Sequence, residues 1–99
     1  MKLINDELTK RFKEVGRQNK NPLVIAKFFD PAGSATWYAT EYDGETNICF
    51  GYVTGLAFDE WGSFSITELE AIKRPFGLTI ERDIHFKEIP FNTLMNTNF

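Results

Sequence analysis

Ile4, Leu8, Phe12 and Val15 recur at the 4-4-3 spacing of one helical stripe, so residues 5–19 are predicted to form an amphipathic helix. Asn5 suits the cap before it, because its side-chain oxygen can accept a free N–H of the first turn. Asp6 and Glu7 suit the positive end of the helix dipole. Lys10, Lys13, Arg17 and Lys20 follow 3-4-3 spacing on the opposite side. That ridge reads first as a solvated face and second as a set of phosphate contacts.

After a turn at Asn21-Pro22, the stretch "NPLVIAKFF" is apolar on both parities, the pattern of a central strand. "DPAGSA" carries loop chemistry, since Asp30-Pro31 opens a turn and Gly33 admits positive φ. "TWYATEYD" and "NICFGYVTG" then form two strands of a hairpin joined through "DGET". Gly51, inside the second, marks a close backbone approach or a bulge. "LAFDEWGSF" reads as a turn into a short strand. "SITELEAIK" starts a helix at a capping box, either Ser65-x-x-Glu68 or Thr67-x-x-Glu70, and Pro75 limits its extension.

Residues 77–87, "GLTIERDIHFK", alternate with period two. Leu78, Ile80, Ile84 and Phe86 share one face with Arg82, and Thr79, Glu81, Asp83, His85 and Lys87 share the other. The tail 91–99 is weakly patterned and suits one helical turn. The expected architecture is α+β. It is one domain over residues 1–99, with an antiparallel sheet of four or five strands in a body spanning 23–90, the N-terminal helix across one face, and a short second helix.

Composition narrows the function classes. With 99 residues, 42% of them hydrophobic and 15% aromatic, the chain can bury one core and is not a disordered segment. No apolar run approaches the roughly 18 residues of a membrane span, and charges occupy the N-terminus where a signal peptide needs an apolar core. A lone Cys49 excludes an internal disulfide framework and fits a reducing compartment, so a cytoplasmic location is expected.

Charge changes the picture more. The formal net charge is only −3, yet residues 1–20 hold six bases against three acids, and residues 28–72 contain eight acids and no Lys or Arg. Soluble surfaces usually intermix the signs. Trp37, Tyr38, Tyr42, Tyr52 and Trp61 lie inside the acid-only segment, which would repel a phosphate backbone despite its stacking side chains. The segment suits a basic protein surface instead, with aromatics as anchors and carboxylates as steering charge. Plain solubility is the competing account of the acids.

The motifs "TWYATEYD", "FGYVTG", "EWGSFSITELEAI" and "PFGLTIERDIHF", in that order across roughly residues 23 to 90, resemble the bacterial and phage family catalogued as domain-of-unknown-function family 2958. The resemblance implies no catalytic residues. It implies association with plasmids, conjugative elements and phages, a setting in which small proteins often act as counter-defence factors against restriction enzymes and CRISPR nucleases.

Glu81, Asp83 and His85 at alternate strand positions could hold a divalent metal if a neighbouring strand supplied another ligand, although the triplet matches no closed ligand set. Arg82 on an apolar parity needs a partner, and Glu41 is the expected one in a structural ion pair. Cys49 lacks the exposed, electropositive setting of a nucleophile. "GYVTG" lacks the lysine and the following helix of a phosphate loop. The expected function is therefore a non-enzymatic, cofactor-free inhibitor that binds a basic, nucleic-acid-binding groove on a defence nuclease. Glu41, Asp43, Glu45, Asp59, Glu60 and Trp61 form the contact. Two alternatives stand beside it: a carboxylate or metal-dependent enzyme at Glu81, Asp83 and His85, and nucleic-acid binding through Lys10, Lys13, Arg17 and Lys20.

Overall fold

The first helix, α1 (Asp6–Val15), begins where its cap predicts: the Asn5 side chain accepts the Leu8 N–H at 2.8 Å. It ends at Val15, the last residue of the apolar stripe, short of the expected 5–19. Gly16 takes φ 67°, and its N–H turns back to the Phe12 carbonyl at 2.9 Å, closing the last turn. The basic ridge is thereby broken. Lys10 and Lys13 lie on α1, whereas Arg17 and Lys20 lie in the loop beyond it. Gln18 fastens that loop to the sheet: its amide donates to the carbonyls of Leu23 and Thr40 and accepts the Leu23 N–H at 2.6 Å.

The computed structural model describes residues 1–97, so the end of the expected 91–99 tail lies outside the described residues. The remaining elements are β1 (Leu23–Val24), β2 (Ala26–Phe29), β3 (Thr36–Asp43), β4 (Ile48–Thr54), β5 (Glu60–Ser65), α2 (Ile66–Ala71), a short 3-10 turn (Pro75–Gly77), β6 (Glu81–Arg82), β7 (Ile89–Pro90) and α3 (Phe91–Thr97). A five-stranded antiparallel sheet runs β5-β4-β3-β2-β6, and β1 pairs with β7 in a separate two-stranded ribbon. This is the expected α+β architecture. The "NPLVIAKFF" segment divides at Ile25, whose N–H still bonds to Ala39 of β3.

The β3–β4 hairpin is the centre of the sheet. A Cβ on Gly51 would lie 1.9 Å from the Tyr38 carbonyl oxygen, so only glycine lets the two strands approach. A bulge between Ala39 and Glu41 leaves Thr40 out of register, and its buried hydroxyl donates to the Phe50 carbonyl at 3.1 Å. On the inner face, Phe28, Trp37, Ala39 and Cys49 meet Leu3, Ile4 and Phe12 from the N-terminal segment and Ile66 and Leu69 from α2. Ser65 caps α2 by accepting the Glu68 N–H, which places the boundary at the first of the two capping boxes.

The long strand expected over 77–87 is not formed. Ile80 is buried and Arg82 pairs opposite Phe28, so the inward parity holds that far. At Asp83 the chain turns: its carboxylate accepts the His85 N–H and its carbonyl accepts the Phe86 N–H. Ile84 is thrown into solvent at 67% exposure. Among the described residues, no helix is long and apolar enough to cross a membrane.

Candidate functional site

Five of the eight acids of the central segment flank β4 toward its two ends, a strand of seven residues or about 20 Å. Asp43 and Glu45 sit at the β3–β4 turn, with Glu41 on β3 opposite Phe50, where it shares a shallow cleft with Trp61; Asp59 and Glu60 sit at the β4–β5 turn. Several have local tasks. Asp43 accepts the Glu45 N–H, Asp59 accepts the Gly55 N–H at 3.1 Å, and Asp30 accepts the Ala32 N–H while pairing with Arg74 at 3.0 Å. Glu41 accepts the Gln18 N–H at 3.0 Å. Turn closure thus accounts for part of the acid-only stretch.

The two groups differ in surroundings. Glu41, Asp43 and Glu45 line an open cleft of about 760 Å³ together with Lys13 and Arg17, so the cations of the first segment offset these acids. The β4–β5 turn holds no cation of its own, and it exposes large apolar side chains just before its acids. Leu56 is 60% exposed and Phe58 75% exposed, immediately before Asp59 and Glu60.

Trp61 continues this surface onto the outer face of the sheet. Its indole stacks on Phe50 with centroids 5.9 Å apart and planes 13° apart, meets Tyr52 edge-on at 5.2 Å, and touches Phe91 of α3 at 4.6 Å. The ring is held on three sides yet remains 38% exposed, beside a Phe50 that is 40% exposed. Such a rigid, half-open aromatic pair presents apolar area at little entropic cost. Leu56, Phe58 and Phe50 were missed by reasoning from charge, although "GLAFDEW" places two of them beside the acids.

Arg82 does not pair with Glu41. Its Nη1 donates to the carbonyls of Leu3 at 2.9 Å and Lys2 at 3.2 Å. The inward parity that suggested a partner was real, but main-chain oxygens of the N-terminal segment satisfy the guanidinium. Glu41 lies across the sheet, on β3, engaged by Gln18.

The triplet Glu81, Asp83 and His85 also separates. Glu81 lies on β6, Asp83 closes the following turn, and His85 lies exposed within it. No group of three metal-ligating side chains occurs among the described residues. Cys49 is fully buried, and burial pushes its thiol up to about 12, far from the thiolate a nucleophile needs. Asn47 is a structural residue that sequence reasoning passed over. Its amide accepts the Tyr42 hydroxyl proton at 2.6 Å and donates to Thr67, tying the hairpin to α2.

A family model described as "Protein of unknown function (DUF2958)" matches residues 2–94, and the chain belongs to that family. No curated protein and no solved structure matches the chain.

Proposed function

We propose that this protein is a small non-enzymatic binding module that docks on a basic protein surface through the β4–β5 turn and the adjoining aromatics. The carrying observation is the exposure of Leu56, Phe58 and Trp61 on the stretch of chain that carries Asp59 and Glu60, with Glu60 and Trp61 on opposite faces of β5. Acids kept for solubility alone have no need of a three-quarters-exposed phenylalanine beside them, and large exposed apolar side chains rimmed by charge fit a protein contact. The carboxylates would steer the encounter and the apolar side chains would anchor it.

A nucleic-acid-binding groove on a defence nuclease matches this chemistry, because such a groove combines dense positive charge with apolar and aromatic floor. On this reading the protein is a counter-defence factor of a phage or other mobile element, of the anti-restriction or anti-CRISPR kind. It acts by occupying the groove in the cytoplasm. The Glu41, Asp43 and Glu45 group contributes less than Asp59 and Glu60, since Lys13 and Arg17 share its cleft.

The test is affinity capture from host lysate with the wild-type chain and with a Phe58→Ser variant, followed by mass spectrometry and a nuclease assay. A nuclease retained by the wild type, lost by the variant and inhibited by the pure protein is the expected result. Equal retention by both chains would remove the β4–β5 turn as the contact.

A further inference from the structure

Strand β5 (Glu60–Ser65) is an edge: among the described residues it pairs with β4 on one side and with no strand on the other. Two hydrogen bonds determine which of its backbone groups face outward. The Ile66 N–H donates to the Asn47 carbonyl at 2.9 Å, one step beyond the pair of Ser65 with Ile48. Hydrogen-bonded pairs alternate along an antiparallel ladder, so Phe64, Gly62 and Glu60 direct their groups to β4. Opposite Ser63, the Phe50 carbonyl receives the Thr40 hydroxyl from the β3 side at 3.1 Å. Both observations leave the N–H and C=O of Trp61 and Ser63 directed at the open edge.

Proteins usually blunt such an edge with lysine, proline or a bulge. In β5 there is none of these. Its one charge is Glu60 at the first position, and its register with β4 is unbroken. Gly62 adds a second feature, since a Cβ there would meet nothing within 4 Å. Phe64 points to the same face as Gly62, two residues along.

We propose that β5 pairs antiparallel with β5 of a second copy, about a two-fold axis through Ser63. Matching of faces requires an axis through a residue, and Ser63 brings the outward groups into register. Ser63 exchanges N–H and C=O with the second copy's Ser63, and Trp61 lies opposite the second copy's Ser65. The same register sets Phe64 opposite the second copy's Gly62 at a non-hydrogen-bonded position, where side chains approach most closely. Each Phe64 ring, which borders its own core, then extends over the open space above the second copy's Gly62, so the contact is made twice by symmetry. An axis at Gly62 would instead set Glu60 against Phe64. This self-complementarity selects a second copy over an extended segment of a different protein, and the isologous contact closes at two chains.

The pairing uses the backbone of β5 and its inner face, so it stands or falls separately from the surface proposed for the β4–β5 turn. Sedimentation equilibrium of the full chain from low to high micromolar concentration tests it. The expected result is a reversible rise from the 11.4 kDa monomer to about twice that mass. Ser63→Pro removes an N–H that β4 does not use, and Ser63→Lys sets like charges face to face across the axis. Both variants are expected to stay monomeric with an unchanged far-ultraviolet dichroism spectrum. If Ser63→Pro does not fold, Ser63→Lys decides. In the wild type, exchange of the Trp61 and Ser63 amides should slow with concentration. A wild type that stays monomeric, or a dimer that persists in the Ser63→Lys variant, overturns the proposal.

Discussion

The guanidinium of Arg82 donates to the Leu3 carbonyl at 2.9 Å and so ties strand β6 to the segment preceding α1. Leu3 is fully buried, and its N–H is held in turn by the Glu70 carboxylate at 2.8 Å. Arg82→Met should lower stability by about 1.5–3 kcal/mol, the range for a hydrogen bond to a charged group. Because Arg82 and Glu41 have separate partners, the Arg82→Met and Glu41→Gln losses should add. A double-mutant cycle in urea checks this, with a coupling below about 0.5 kcal/mol expected.

Phe12 is 3% exposed and packs on Tyr42 with ring centroids 5.7 Å apart. Phe12→Ala should cost about 3–5 kcal/mol, whereas exposed Lys13→Ala should change stability by about 0.5 kcal/mol or less. Chemical denaturation of the two variants measures the contrast. Similar losses would place the wrong face of α1 against the sheet.

Two glycines on neighbouring strands, Gly51 and Gly62, are paired opposite one another but should respond oppositely to alanine. The added methyl at Gly51 would collide with the Tyr38 carbonyl, a backbone atom that cannot swing aside, so Gly51→Ala should lose more than about 3 kcal/mol or fail to fold. At Gly62 the methyl meets open space, and Gly62→Ala should be neutral or stabilising by up to about 1 kcal/mol. Thermal unfolding at low protein concentration distinguishes the two.

The parts of the fold that were legible in the sequence are those fixed by local chemistry. Asn5, Ser65 and the "DGET" turn mark boundaries through a cap or a tight turn, and the pairing of the two hairpin strands survives in the sheet, its alternation shifted once by the bulge at Thr40. The failures come from tertiary competition. The expected helix ran on to residue 19 past Gly16, whose positive φ ends it just after the last stripe residue, and alternation through Phe86 passed an aspartate whose side chain closes a turn. Arg82 shows the limit most clearly: its parity was readable, but its partners are main-chain carbonyls, which no residue type announces. Within the candidate site the acids were legible, while their division between two ends of β4, and the exposure of Leu56 and Phe58, depend on the folded chain.

Burial of Cys49 gives a signed pH dependence. Its thiol is pushed up to about 12 from an ordinary value of 9.0. A raised folded value contributes stability that is complete below the unfolded pKa and is lost as pH climbs toward the folded one. Stability should therefore decline above about pH 9, with a slope from this group approaching about 1.4 kcal/mol per pH unit. Burial also raises Tyr38 and Tyr42, so the comparison must be with Cys49→Ala, which keeps both tyrosines. Urea unfolding between about pH 8 and about pH 10.5 should show a shallower decline for the variant. Parallel declines would mean that the thiol ionises as readily folded as unfolded.

The central claim is that Asp59 and Glu60 steer a basic partner onto anchors that include Trp61. Surface plasmon resonance against the captured nuclease, at several salt concentrations, tests it most directly. Exposed charges act over a Debye length of about 8–10 Å at physiological ionic strength. The association rate of the wild type should therefore fall as salt rises. Converting Asp59 to Asn and Glu60 to Gln keeps shape and removes two charges, so it should slow association and flatten that dependence. Trp61→Ala should mainly speed dissociation, because it removes buried area rather than field. Salt-insensitive association, unchanged by neutralising Asp59 and Glu60, would contradict the account and leave the acids as solubilising charge.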